Sequence, residues 1–141
     1  MQVLSTLIGQ SLLGAGVLFG LPNKQNKLAE AISAVFMVTS LLLAYQLWQE
    51  YDPTLSGFQL IERFSWVPSI GMEYHLGVDG ISVALILVLV MTNAIVVWSA
   101  PSLISDNIAL YLGCFYLMQA IVVGVFSALD GMLFYLFWEV F

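Results

Sequence analysis

Four long apolar runs dominate this sequence and limit what it can fold into. They cover residues 3–21, 29–48, 80–100 and 108–128. A helix needs roughly 20 mostly apolar residues to cross the hydrocarbon core of a bilayer, and each run is about that long. Only 9% of the 141 residues are charged, whereas soluble domains carry about 25%. The sequence therefore predicts an all-α integral membrane protein with four full transmembrane helices.

A fifth apolar run, residues 131–141, is shorter than the other four. As a helix it would be roughly 16 Å long, which is about half the thickness of the hydrocarbon core. A helix that ends inside the bilayer leaves its last carbonyl groups without partners, because lipid cannot hydrogen-bond to them. The run is interpreted as a partial fifth helix of a longer fold. A short interfacial or re-entrant tail is the alternative.

The charges in the two longer connections indicate how the helices are oriented. The first connection, residues 22–28, contains Lys24 and Lys27, whereas residues 49–79 contain five acids and only Arg63. Basic residues favour the cytoplasmic side of a membrane. We therefore expect the first connection to be cytoplasmic, the second to lie outside, and the N-terminus to lie outside as well.

The long outer connection contains the pattern of a small β-hairpin. In "FSWVPSIGMEYHL", residues 64–76, apolar and polar residues alternate on both sides of a turn that contains Pro68 and Gly71. Alternation of this kind is typical of two strands with one apolar face. An isolated hairpin is only marginally stable in water. We expect this one to lie on the outer membrane surface or against another subunit.

Four polar residues at or inside the predicted helices are candidate site residues. Asn93 and Gln119 fall well inside the third and fourth runs, where each could hydrogen-bond between helices or line a hydrated path. Asp79 opens the third helix, where an acid complements the helix dipole. Asp130 lies in the tight turn before the fifth run. Asp79 and Asp130 are predicted to have structural or interface roles.

Glu139 is the candidate for transport chemistry. It lies nine residues beyond Asp130, which corresponds to about 13.5 Å of helix and places it near the middle of the bilayer. An acid at that depth is by default a functional-site hypothesis, and it needs a partner. The three basic residues, Lys24, Lys27 and Arg63, are all in connections. A base or a water chain would have to come from another segment or another subunit.

Several classes of function are disfavoured by the composition. Nine acids stand against three bases, so the chain has no basic surface that could bind nucleic acid. Its one cysteine, Cys114, cannot form an internal disulfide or provide the cysteine set of an iron–sulfur cluster. No glycine-rich phosphate-binding motif is present. The sequence predicts no catalytic residue, cofactor site or metal site of its own.

Two segments resemble a known family. "YHLGVDGISVALILV", residues 74–88, and "GVFSALDGMLFYLFWEVF", residues 124–141, resemble the N-terminal portion of the antiporter-like subunit M, or chain 4, of proton-pumping NADH-quinone oxidoreductase, respiratory complex I. That resemblance implies a fold of about fourteen spans built from inverted repeats with broken helices. Residues 1–141 would then form a single transmembrane region within it.

The resemblance also implies a role for Glu139 and a set of partners. The family's fifth-helix glutamate matches Glu139 and takes part in proton translocation, paired with a lysine that this sequence does not contain. NADH, FMN, iron–sulfur clusters and quinone would be bound by partner subunits. The expected surroundings are membrane lipid and the other membrane-arm subunits, with no nucleic acid, in the inner (cytoplasmic) membrane. The chain would act as a subunit of the oxidoreductase.

Two alternatives remain open at this stage. The multisubunit sodium/proton antiporters are similar in ancestry, so the chain could belong to one of them. The helices could also form a membrane scaffold that transports nothing, in which Glu139 has only a structural role.

Overall fold

Five α-helices and one β-hairpin, whose turn contains a short 3₁₀ helix (Pro68–Ile70), make up the part of the chain that is described. The computed structural model describes residues 2–141. In chain order the elements are α1 (Val3–Phe19), α2 (Asn26–Glu50), strand β1 (Gln59–Val67), strand β2 (Met72–Val78), α3 (Gly80–Leu103), α4 (Ile108–Ser127) and α5 (Gly131–Val140). The mostly helical architecture and the small hairpin confirm the corresponding predictions.

Three helices of the described chain are long and apolar enough to cross a membrane, namely α2, α3 and α4. Helix α1 has 17 residues, or about 25 Å, which is shorter than a hydrocarbon core of about 30 Å. The apolar run was predicted to span residues 3–21, but α1 ends at Phe19 with Gly20 as its C-cap residue. Pro22 follows, and a proline disfavours a helical conformation in the residue before it. The structure therefore supports three of the four predicted full spans by length.

Helix α3 continues beyond its predicted end at residue 100. It includes Pro101 and ends at Leu103, where the Ile104 N–H donates to the Ala100 carbonyl at 2.9 Å. A proline inside a helix removes one backbone hydrogen bond, but here it lies in the last turn. The helix is therefore extended by three residues that the sequence pattern assigned to a connection.

Helices α1 and α4 form the most extensive helix pair of the bundle. Glycines of α4 allow two close approaches, one to α1 and one to α5. A Cβ atom at Gly113 would lie 2.7 Å from the Phe19 ring, and one at Gly124 would lie 2.6 Å from the Phe137 ring. Small residues at helix contacts permit such packing where lipid supplies no hydrophobic drive. Gly124 thereby lets α5 pack closely against α4.

The hairpin lies against the turn between α4 and α5. Within it, Phe64 is opposite Tyr74, and the Arg63 guanidinium donates two hydrogen bonds to the Glu73 carboxylate. The side chain of Leu76 on β2 is buried. The Leu129 N–H donates to the His75 carbonyl at 2.8 Å. These contacts fix the hairpin to the helical bundle.

A second contact joins the hairpin to the start of α1. The buried carboxylate of Glu62 accepts hydrogen bonds from the N–H groups of Leu4 and Ser5, at 3.0 and 3.1 Å, and from the Ser5 hydroxyl. The Tyr74 hydroxyl lies 2.9 Å from the same Ser5 hydroxyl, and burial raises the Tyr74 pKa. The first N–H groups of a helix lack partners within it and favour a negative charge. Glu62 therefore caps α1 from across the chain.

We expect Glu62→Gln to destabilise the bundle by about 1–2 kcal/mol, because charge-assisted bonds to two backbone N–H groups would weaken. Reversible unfolding of the lipid-reconstituted chain measures the change. Glu73→Gln is the matched control. It removes a carboxylate of the exposed pair with Arg63, and we expect it to cost less than about 1 kcal/mol. Equal losses in the two variants would contradict the capping role.

Candidate functional site

A cluster of five buried polar side chains lies in the middle of the helical bundle. Asn93 Nδ2 donates to Gln119 Oε1 at 2.6 Å, and Gln119 Nε2 donates to the hydroxyls of Ser11 and Ser40 at 2.8 and 3.0 Å. Gln10 Nε2 donates to the Ser40 hydroxyl at 2.5 Å. All five side chains are at least nine-tenths buried. We refer to them as the core amide cluster.

The core amide cluster connects four helices through one residue. Gln119 on α4 contacts Ser11 on α1, Ser40 on α2 and Asn93 on α3. The sequence singled out Asn93 and Gln119, and the structure brings these two together. It did not single out Gln10, Ser11 or Ser40. The two serines gave no signal, because a serine in a membrane helix can bond to the backbone of its own helix. Ser11 does so here, with its hydroxyl donating to the Leu7 carbonyl at 2.8 Å.

The chemistry of the core amide cluster suits holding helices together. Carboxamides and serine hydroxyls carry no charge at neutral pH, so they cannot take up and release a proton as a carboxylate does. Interhelical hydrogen bonds of this kind contribute roughly 0.6–2 kcal/mol each in membrane proteins. The geometry is that of interhelical hydrogen bonding, which is one of the two interpretations open for Asn93 and Gln119.

Asp79 is the N-cap residue of α3. Its side chain accepts a hydrogen bond from the Ser82 N–H at 2.8 Å. This bond holds the pKa of the Asp79 carboxyl below its usual value, since it stabilises the ionised form. The residue therefore fixes the point at which the chain leaves the hairpin and enters α3.

Asp130 caps α5 and also contacts the hairpin. Its Oδ1 accepts from the N–H groups of Met132 and Leu133 at 2.8 and 3.3 Å, and its Oδ2 accepts from the Glu73 N–H at 3.1 Å. The bond from Glu73 is the main cause of a lowered Asp130 pKa. One carboxylate thus fixes the start of α5 relative to β2.

The three carboxylate caps share one end of the bundle. Glu62, Asp79 and Asp130 cap α1, α3 and α5, and all three belong to or contact the segment that contains the hairpin. Helices α2 and α4 begin at the opposite end, where the residues before them, Gln25 and Asn107, make no side-chain cap. The acid caps and the lysine-containing connection therefore lie at opposite ends of the bundle.

Glu139 lies apart from the core amide cluster, on the last turn of α5. Helix α5 packs on α4 through Leu133, which is fully buried, and Phe137, which lies against Gly124. Glu139 itself is exposed, and so is Trp138 beside it. The structure therefore brings Asn93 and Gln119 together but leaves Glu139 on an outer face, where a lipid or another polypeptide would contact it.

The described residues offer Glu139 no basic partner and offer a metal no site. The ion pair found within residues 2–141 joins Arg63 to Glu73 at 2.7 Å, on the exposed side of the hairpin. No group of three or more His, Cys, Asp or Glu side chains in the same residues could hold a metal ion. Cys114 is a free thiol on the outer surface of α4.

No family model matches the chain. Comparison with individual proteins finds relatives that all carry subunit M or chain 4 names. It is 34% identical over 119 residues to NADH-quinone oxidoreductase subunit M of Rickettsia typhi, which covers 82% of this chain and 24% of that protein. It is 33% identical over 137 residues to a chain 4 of NAD(P)H-quinone oxidoreductase from Picosynechococcus, covering 96% and 26%. It is 32% identical over 131 residues to NADH-ubiquinone oxidoreductase chain 4 of Chondrus crispus, covering 91% and 26%.

These relatives confirm the resemblance that the sequence motifs indicated. Each similarity extends over most of this chain, while the chain spans only about a quarter of the length of the curated relatives it matches.

Removing the central residue of the core amide cluster tests its structural importance. We expect Gln119→Leu to destabilise the lipid-reconstituted chain by about 1–3 kcal/mol, because the Asn93 donor and two serine hydroxyls lose a buried partner. Unfolding by a denaturing detergent measures this. Gln49→Leu, at an exposed glutamine near the end of α2, is the control and should change stability little. An unchanged midpoint for Gln119→Leu would contradict the role.

Proposed function

We propose that this chain is part of a subunit M, or chain 4, of an NADH-quinone oxidoreductase, and that it contributes there to proton translocation in the membrane arm of complex I. The translocation would be coupled to electron transfer from NADH to quinone. The observation that carries the proposal is the similarity over 82–96% of the chain to proteins with those names. We further propose that it corresponds to the N-terminal portion of such a subunit.

Glu139 is the residue we propose for proton translocation. It is the acid of an otherwise apolar helix, about 13.5 Å along α5 from the Asp130 cap, and its exposed face is free to meet a partner. A carboxylate in hydrocarbon needs a basic residue or water nearby. The proposed partner is a lysine from a part of the subunit beyond these 141 residues. Moving that lysine away would remove the attraction that offsets the cost of burying the charge, and Glu139 would then bind a proton.

The rest of the chain supports this role by positioning α5. Asp130 fixes the start of the helix to the hairpin, and the contact of Phe137 with Gly124 fixes its packing on α4. Helix α4 is in turn tied to α1, α2 and α3 through Gln119. In this proposal the first four helices form a fixed base for the carboxylate, and Asn93 and Gln119 contribute as packing residues.

We propose that α1 also crosses the membrane, so that the subunit has four full spans before α5. The chain would lie in the inner membrane. Its N-terminus and hairpin would be outside, and Lys24 and Lys27 would face the cytoplasm. The positions of the lysines support this orientation, because basic residues favour the cytoplasmic side and both lysines lie at the end of the bundle away from the hairpin.

The redox chemistry would belong to partner subunits in this proposal. The described residues do not fit an iron–sulfur cluster, since the single thiol faces outward on α4 and they form no metal-binding group. The partners would be membrane lipid and the neighbouring membrane-arm subunits. The chain itself would act only in proton transport.

Topology is testable by labelling. Gln25 and Ser69 are both exposed, on opposite ends of the bundle. We expect an impermeant thiol reagent to label Ser69→Cys but not Gln25→Cys in intact cells, in a Cys114→Ala background that removes the native thiol. Labelling of both positions after the membrane is permeabilised is the control. Labelling of position 25 alone in intact cells would invert the proposed orientation.

The role of Glu139 is testable in the complete subunit within its complex. Glu139→Gln keeps the shape and removes the titratable group, so we expect normal assembly with a several-fold loss of both proton pumping and quinone-linked NADH oxidation. Glu139→Asp should be milder because it keeps a carboxylate. Glu50→Gln, an exposed acid at the end of α2, is the control and should retain activity. Full pumping by Glu139→Gln would exclude the proposed role.

A further inference from the structure

The two faces of the β-hairpin differ in chemistry. Residues opposite each other on paired strands lie on the same face of a sheet, and successive residues alternate between faces. The register therefore places on one face Glu62, Phe64, Tyr74 and Leu76. It places on the other face Arg63, Ser65, Glu73 and His75. We call the first set the inner face of the hairpin and the second set its outer face.

The inner face packs across the ends of the helices. Leu76 is fully buried and belongs to the same apolar cluster as Leu4, Val83 and Leu133, which lie in the first turns of α1, α3 and α5. Glu62 on the same face is also buried, and it accepts from the Leu4 N–H. The inner face is therefore directed toward the helical bundle, and the outer face is directed away from it.

Phe64 marks the place where the inner face extends past the bundle. Its side chain is 47% exposed, although it shares a face with the fully buried Leu76. Its ring centroid lies 6.1 Å from that of Tyr74, whose hydroxyl is 2.9 Å from the hydroxyl of Ser5 on α1. Phe64 therefore lies beside the first turn of α1, at the level where that helix begins.

Charge is divided between the two faces in the same sense. Arg63 and Glu73 form their ion pair on the outer face, and the Arg63 side chain is 62% exposed there. The charged group of the inner face, the Glu62 carboxylate, is buried against α1. The exposed part of the inner face around Phe64 is therefore aromatic and uncharged, while the exposed charges point away from the helices.

We propose that this overhanging edge of the hairpin rests on the membrane surface, with Phe64 among the lipid headgroups beside α1. The partner is a lipid surface because the inner face is directed along the bundle, and what surrounds the ends of membrane-spanning helices at that level is the headgroup layer. An amphipathic element binds such a surface with its aromatic side inward and its charged side in water, and the two hairpin faces have that arrangement.

The test is fluorescence quenching at two neighbouring positions of the chain in lipid discs. An environment-sensitive fluorophore is attached at Phe64→Cys or at Ser65→Cys, in a Cys114→Ala background. Ser65 is the matched control, because it is exposed and lies on the outer face. We expect phospholipids brominated near the headgroup to quench position 64 several-fold more than position 65. Iodide in the water should show the reverse preference.

Three results would overturn the proposal. Iodide quenching at position 64 as strong as at position 65 would show that the inner face is open to water. Equal quenching of both positions by brominated lipid would show that the hairpin does not lie with one face on the membrane. Protection of position 64 from both quenchers, in discs or in the complete subunit within its complex, would show that a polypeptide covers it. The disc measurement requires no proton transport, so its outcome is independent of the role proposed for Glu139.

Discussion

The interior of a bilayer offers no water to a polar group, and the structure of this chain follows from that constraint. Every buried polar atom must find its partner within the protein or remain unpaired at a cost. Gln119 shows how the constraint is met, because one carboxamide on α4 contacts α1, α2 and α3 at once. Lipid tails are as apolar as leucine, so apolar contact alone would not specify which helices pack together. The core amide cluster supplies that specificity.

The ends of the helices meet the same constraint by a different route. Helices α1, α3 and α5 begin at the hairpin end, and each has its first N–H groups paired with a carboxylate, from Glu62, Asp79 and Asp130 respectively. Two of these acids also tie the hairpin to the bundle. The hairpin is therefore part of the helical framework, since its removal would leave the start of α1 without its cap. The same arrangement concentrates negative charge at one end and leaves the lysines at the other.

The sequence predicted the features that depend on local pattern. Apolar runs predicted the helices, alternation predicted the hairpin, and an acid directly before a helix gave Asp79 and Asp130 their candidate positions. It could not predict contacts made across long stretches of chain. Glu62 resembles an ordinary acid of a polar connection, yet it caps α1 by accepting from the Leu4 N–H, 58 residues earlier in the chain. Ser11 and Ser40 likewise become recognisable only once Gln119 lies between them. The early end of α1 at Phe19 was also missed, because the apolar pattern itself continues to Leu21.

Glu139 connects this framework to the proposed function, since a fixed bundle would place its carboxylate within the hydrocarbon. Depth is therefore the most direct test. A nitroxide is attached at Glu139→Cys or at Ser69→Cys in a Cys114→Ala chain in lipid, and its collisions with oxygen and with a water-soluble nickel complex are compared. The account predicts high oxygen access and low nickel access at position 139, and the reverse at position 69. Nickel access at position 139 as high as at position 69 would contradict it.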